Sequence, residues 1–163
     1  MDHCLAAGED PLTNQRIARI AAALEEVVKT IQDSTETSAR QQRLHPTDFR
    51  CLTFLYDIGG SASPKEIIGH LGLTSGAGTA LLDRLAGHGY VFRQPNPADR
   101  RGIVITIDGQ AAGHLLAIHE AAKARLREAI ARLQTEQLEV VGNFLEEVAG
   151  IAKLAVIEMQ QAE

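Results

Sequence analysis

A chain of 163 residues with 45% apolar content is long enough to bury one good core, or one domain with a helical extension. It has no run of 18 or more apolar residues and no charged-then-apolar start, so it reads as a cytoplasmic protein without a membrane span or a secretory leader. The net charge of -5 is unevenly spread: Ser61 to Ile107 sets Lys65, Arg84, Arg93, Arg100 and Arg101 against Glu66, Asp83 and Asp99, a net +2, and leaves -7 elsewhere. That asymmetry makes this segment the candidate nucleic-acid face, and its modest size argues against strong nonspecific binding.

In chain order, Met1 to Asp10 shows no periodicity. From Leu12 a helix is expected, with Ile17, Ile20, Leu24, Val27 and Ile31 forming one apolar stripe, followed by a polar stretch to Arg43. Pro46 suits the first turn of a second helix, Phe49, Leu52, Leu55 and Tyr56 give it a face to bury, and Ile58-Gly59-Gly60 ends it. Ser63-Pro64-Lys65-Glu66 then combines a cap, a proline at the first position and a Glu placed to close a capping box. The helix it opens carries Ile67, Ile68 and Leu71 and stops at Gly72.

Thr74 or Ser75 can cap the next helix, and Gly89 fits the left-handed position that ends it. With only Leu73 between Gly72 and Thr74, the two helices make a helix-turn-helix by length and punctuation. Leu81, Leu82 and Leu85 share one buried face, while Ser75, Gly76, Ala77, Thr79 and Ala80 leave the start of the helix small outside. Gly76 and Gly78 each cost about 1 kcal/mol of helix propensity relative to Ala, so stability alone would not select them. Tyr90 to Gln94 and Ile103 to Ile107 are β-rich runs around a loop with two prolines, Asp99, Arg100, Arg101 and Gly102, an antiparallel hairpin with a basic tip. A helix of small polar groups beside such a hairpin suits a major groove and the adjacent minor groove.

Asp108 is placed to cap a long helix with Leu115, His119, Ala122, Leu126, Ile130 and Leu133 on one side. A final helix from Thr135 or Glu136 repeats Leu138, Val141, Leu145, Val148, Ala152, Ala155 and Met159 at steps of three and four. One lobe cannot easily bury three such stripes from both chain ends. A homodimer interface is therefore expected, using Ile17, Ile20, Leu24, Leu138, Val141, Leu145 and Val148.

At Pro46-Thr47-Asp48-Phe49, Leu73-Thr74-Ser75-Gly76-Ala77-x-Thr79, Leu82-Asp83-Arg84-Leu85 and Pro95-x-x-x-Asp99-Arg100-Arg101, the sequence resembles the MarR (multiple antibiotic resistance regulator) family of winged helix-turn-helix transcription factors. The likeness is close from about Leu44 to Ala112, and the flanking helices match in length and pattern. Gly78 departs from it, standing where the family usually has a larger apolar residue, and Asp108 replaces the usual cap threonine after the wing. The resemblance implies a mainly α fold with a small antiparallel β wing in a single domain over 1–163: an N-terminal dimerisation helix over 12–43, the DNA-binding segment over 44–107 and C-terminal dimerisation helices over 108–163.

The expected function is that of a sequence-specific regulator, a repressor, that binds double-stranded DNA at a pseudo-palindromic operator as a homodimer. Ser75, Gly76, Ala77, Thr79 and Ala80 would approach base edges or phosphates. Arg101 resembles the family's minor-groove arginine, with Asp99 fixing its orientation, and Arg100 would meet a phosphate. Arg84 is open between a backbone contact and an internal ion pair. A small aromatic or phenolic effector, in the crevice between DNA-reading and dimerising lobes, would release the DNA.

No cofactor or metal is expected, and no His-x-x-x-His, Cys-x-x-Cys, phosphate loop or nucleophile with an evident base points to an enzyme. Cys4 and Cys51 are too few for a disulfide framework, and Cys51 beside Leu52 reads as a small buried hydrophobe. The alternatives are a thiol- or metal-responsive regulator and a winged-helix protein-interaction module that never binds DNA.

Overall fold

The computed structural model describes residues 10–97 and 102–161. In these residues the order is α1 (Pro11–Gln41), α2 (Pro46–Asp57), β1 (Ser61–Ala62), α3 (Pro64–Leu71), α4 (Ser75–Gly87), β2 (Val91–Pro95), β3 (Ile103–Ile107), α5 (Gly113–Ile130) and α6 (Thr135–Gln161). The fold is a winged helix-turn-helix, mainly α, with a three-stranded antiparallel sheet in the order β1-β3-β2. By internal packing the chain divides into two compact units, one ending at Leu116 and the other beginning at Ala117.

In the first unit the helix starts follow from local chemistry. The Asp10 carboxylate accepts the Leu12 N–H at 3.2 Å. At α3 the capping box forms as the residues dictate: the Ser63 hydroxyl accepts the Glu66 N–H at 3.3 Å, and the Glu66 carboxylate accepts the Ser63 N–H at 2.8 Å. The Ser63 hydroxyl also donates to the Glu66 carboxylate at 2.6 Å, and this bond together with that from the Ser63 N–H holds the Glu66 carboxyl below its ordinary range. The C-terminus of α4 closes with the Tyr90 N–H on the Leu85 carbonyl and the Gly89 N–H on that of Ala86, both at 3.0 Å, which requires the left-handed φ of +75° that Gly89 adopts without a Cβ penalty. Arg43 takes the same backbone region, with φ +56°, at the end of α1, where the sequence carries no glycine to announce it.

The core of this unit gathers Cys51, Leu52 and Leu55 of α2, Ile67 of α3, Leu81 and Leu85 of α4, Val91, Ile105 and the start of α5 at Leu115. Each fully buried Leu or Ile contributes about 1.5–3 kcal/mol relative to exposure. Tyr56, expected on the buried face of α2, is exposed, because that face is centred on Asp48, Cys51, Leu52 and Leu55 and leaves Tyr56 at its edge. β1, absent from the sequence reading, pairs Ser61 with Thr106 and Ala62 with Ile105. A run of two residues carries no periodicity to reveal it. In the hairpin Val91 faces Ile107, Arg93 faces Ile105 and Pro95 faces Ile103. The Asp108 carboxylate caps a turn, accepting the Gln110 and Ala111 N–H groups at 2.8 and 3.2 Å, and α5 begins only at Gly113.

The second unit holds the rest of α5 and all of α6. Leu133, expected at the end of the earlier helix, lies between the two. Glu120 and Arg127 pair along α5. Among the described residues no side chain from Ala117 onward is buried.

The helix-turn-helix contact explains Gly78. A Cβ at this position would lie 2.2 Å from Cγ1 and 2.6 Å from Cδ1 of Ile68 on α3, so Ile68 occupies the room that a larger residue on α4 would need. Ile68 is stiff at χ1 and cannot simply turn away. Gly78→Ala gains about 1 kcal/mol of helix propensity but overpacks the contact at a cost of roughly 1–3 kcal/mol. Net destabilisation is expected in denaturant melts, and the Ile68→Ala/Gly78→Ala double variant should be more stable than the sum of the single effects predicts; simple additivity would refute the contact.

Candidate nucleic-acid interface

α4 is placed by its cap, its buried face and the Arg84–Asp48 ion pair. Thr74, of the two candidates, is the N-cap: its hydroxyl accepts the Ala77 N–H at 3.3 Å. Gly78, Leu81, Leu82 and Leu85 turn inward, and Ser75, Gly76, Ala77, Thr79 and Ala80 remain exposed together at the start of the helix. The Thr79 hydroxyl donates to the Ser75 carbonyl at 2.9 Å, which leaves its lone pairs free to accept from a partner. The N-terminal half of α4 is thus a surface of small groups that a DNA edge can approach closely.

Arg84 engages the interior. Its Nε donates to both oxygens of Asp48, at 3.2 and 3.0 Å, and its Nη2 donates to Oδ1 at 2.5 Å. Asp48 is 1% exposed, whereas the Arg84 side chain remains 41% exposed. The Asp48 bonds raise the Arg84 guanidinium above its ordinary value and keep it charged. The same carboxylate caps α2 by accepting the His45 N–H at 3.2 Å, while His45 Nδ1 accepts the Thr47 N–H at 3.2 Å. Between the start of α2 and the outer side of α4 runs a shallow groove lined by His45, Thr47, Leu73, Ala77, Ala80, Leu81 and Arg84. On the other flank Asp83 pairs with Arg93 of β2, and both are exposed.

The base of the hairpin loop is closed by the Asn96 N–H on the Gly102 carbonyl at 2.9 Å. Asp99, Arg100 and Arg101 lie outside the described residues, as does Cys4. Of the expected dimer residues, Ile17, Ile20, Leu138, Val141 and Leu145 are exposed, and Leu24 and Val148 are half-buried. Asp48 is the functional candidate that sequence reasoning passed over. A carboxylate among Phe49, Leu52 and Leu55 on an apolar face was the available signal, because a buried charge demands a partner. Among the described residues no helix is long and apolar enough to cross a membrane, and no three His, Cys, Asp or Glu side chains are grouped to hold a metal ion.

Residues 44–102 match the MarR family. The chain is 28% identical over 126 residues to the uncharacterized HTH-type transcriptional regulator YcgE of Bacillus subtilis, covering 77% of this chain and 81% of that protein. It is also 28% identical over 140 residues to the HTH-type transcriptional regulator MhqR of the same organism, covering 85% and 95%. In fold it is similar to Streptococcus pneumoniae FabT, solved in complex with DNA, with a TM-score of 0.65, 18% identity and coverage of 84% of this chain and 97% of that one.

Cys51 is fully buried, and its thiol is pushed up to about 12 by that burial and by the negative charge of Asp48. The thiolate is the reactive form, so Cys51 is inert in the folded protein. In a Cys4→Ser variant at pH 8, Cys51 should react with an aromatic disulfide reagent at the rate of unfolding and at full speed in denaturant. Rapid stoichiometric reaction of the folded variant, followed by absorbance, would contradict this.

Proposed function

We propose that this chain, a DNA-binding transcriptional regulator of the MarR family, is a homodimeric repressor that binds a pseudo-palindromic operator and is released by a small-molecule effector. The observation that carries the DNA-reading role is α4: a capped helix, clamped at Arg84, whose exposed start offers only Ser75, Gly76, Ala77, Thr79 and Ala80. Ser75 and Thr79 would bond to base edges or phosphates, and the alanines and glycine would admit the backbone or a thymine methyl group. Arg101 would reach the adjacent minor groove, oriented by Asp99, and Arg100 would contact a phosphate.

The dimer reading is supported by the two chain ends. In α1 the single buried side chain is Ala39, and α6 exposes Leu138, Val140, Val141, Phe144, Leu145, Ile151 and Leu154. Exposed apolar side chains in such number on one helix favour an interaction site. A two-fold dimer would place two α4 helices in successive major grooves about 34–36 Å apart. An effector, a small aromatic or phenolic compound, would have to prefer the DNA-incompetent arrangement, because a ligand that binds both equally shifts nothing.

Salt-titrated binding of the purified protein to the DNA upstream of its own operon tests the function. Saturable binding with a steep salt dependence is the expected result, and binding no tighter than to unrelated DNA refutes it. Arg101→Ala should weaken that binding by about 1–3 kcal/mol, and unchanged affinity at moderate salt removes the minor-groove role. Leu145→Asp would bury an uncompensated charge in the seam and should dissociate or unfold the protein. A stable folded dimer of this variant in sedimentation would place Leu145 elsewhere.

A further inference from the structure

Asp48 is the one charged side chain buried among the described residues. Well-packed apolar side chains in place of a buried ion pair are often as stable or more so, so stability alone does not account for it. What the pair supplies is direction. A guanidinium fork on a carboxylate accepts a narrow range of geometries, whereas the apolar burial of leucines such as Leu81 and Leu85 sets how deeply α4 sits and is non-directional. Toward its N-terminal end α4 is held by the close contact of Ile68 on Gly78, which fixes how near α3 and α4 approach but carries no directional bond. The Asp83–Arg93 pair on the other flank is solvent-exposed and holds little.

Arg84 stands four residues beyond Ala80 and seven beyond Ala77, so the three share a helix face and line one groove. Side-chain atoms lie about 5 Å from a helix axis, so a roll of about 20° moves them by roughly 2 Å. That displacement exceeds the tolerance of a hydrogen bond. We propose that Asp48 is a positioning residue for DNA recognition: through Arg84 its carboxylate sets the roll of α4, and thereby which bases Ser75, Gly76 and Thr79 meet. The inference rests on α4 being the base-reading helix.

The test begins with duplexes selected by the wild-type protein from a pool with a randomised core. Affinities for the selected duplex and for a scrambled duplex are then measured across a salt series for wild type, D48N, R84Q and D48N/R84Q. D48N should reduce the preference for the selected duplex about tenfold, comparable to one wrong base pair, with scrambled-duplex affinity and salt slope unchanged. R84Q should lose the same preference and the double variant no more than either single, because both act through one pair. R84Q leaves a buried carboxylate unpaired; should it not fold, the double variant, which has a neutral amide pair, carries the comparison. A lower melting temperature with both duplexes weakened equally marks a merely structural role and overturns the inference. A salt slope reduced by about one in R84Q would assign Arg84 to a phosphate and overturn it also. Unchanged preference in D48N and the double variant overturns the positioning role while DNA reading stands; a wild-type protein that selects no duplex overturns both.

Discussion

The first unit is organised around one carboxylate. Asp48 lies near the start of α2, caps that helix through the His45 N–H, and receives Nε and Nη2 of Arg84 from α4. Its two oxygens are thus shared between a helix start and a guanidinium, as a charge removed from water requires. The negative charge reaches further, since it joins burial in raising the Cys51 thiol one turn along α2. A single buried group therefore orders the scaffold helix, grips the helix that faces outward and helps to keep the neighbouring sulfur unreactive.

Around that pair the helix-turn-helix is built from close approaches. Gly78 lets α3 press Ile68 onto α4, and the left-handed Gly72 turns the chain between the two helices within a few residues. Small residues on α4 do two jobs on two faces. Inward, Gly78 admits a neighbour's side chain; outward, Ser75, Gly76, Ala77, Thr79 and Ala80 leave the surface low enough for a nucleic-acid edge. The helix propensity lost at Gly78 is offset by the close packing of Ile68 against it.

The chain ends follow a different logic. α1 and α6 are long and rich in apolar side chains, yet they contribute almost nothing to the buried core of the single chain. Helices of this kind are stabilised chiefly by covering their apolar stripes, not by intrinsic propensity. This exposed apolar surface is the physical basis of the homodimer proposal.

The sequence by itself determined what is decided within a turn or two of the chain: the Ser63–Glu66 capping box, a cap for α4 at Thr74 or Ser75, the glycine at the end of α4, the β2–β3 hairpin and the leucine face of α4. These are local because a cap or a periodic stripe is fixed by residues three or four apart. The MarR-like reading of about Leu44 to Ala112, of which residues 44–102 match the family, was legible for the same reason, as a series of short motifs. Only the tertiary structure decided that Arg84 meets Asp48, 36 residues earlier, that Ile68 fills the space beside Gly78, that Ser61–Ala62 forms an edge strand, and that Tyr56 faces outward. Each of these depends on how separate elements come to rest against one another, and a carboxylate's partner or a glycine's neighbour leaves no periodic trace in the chain that carries it.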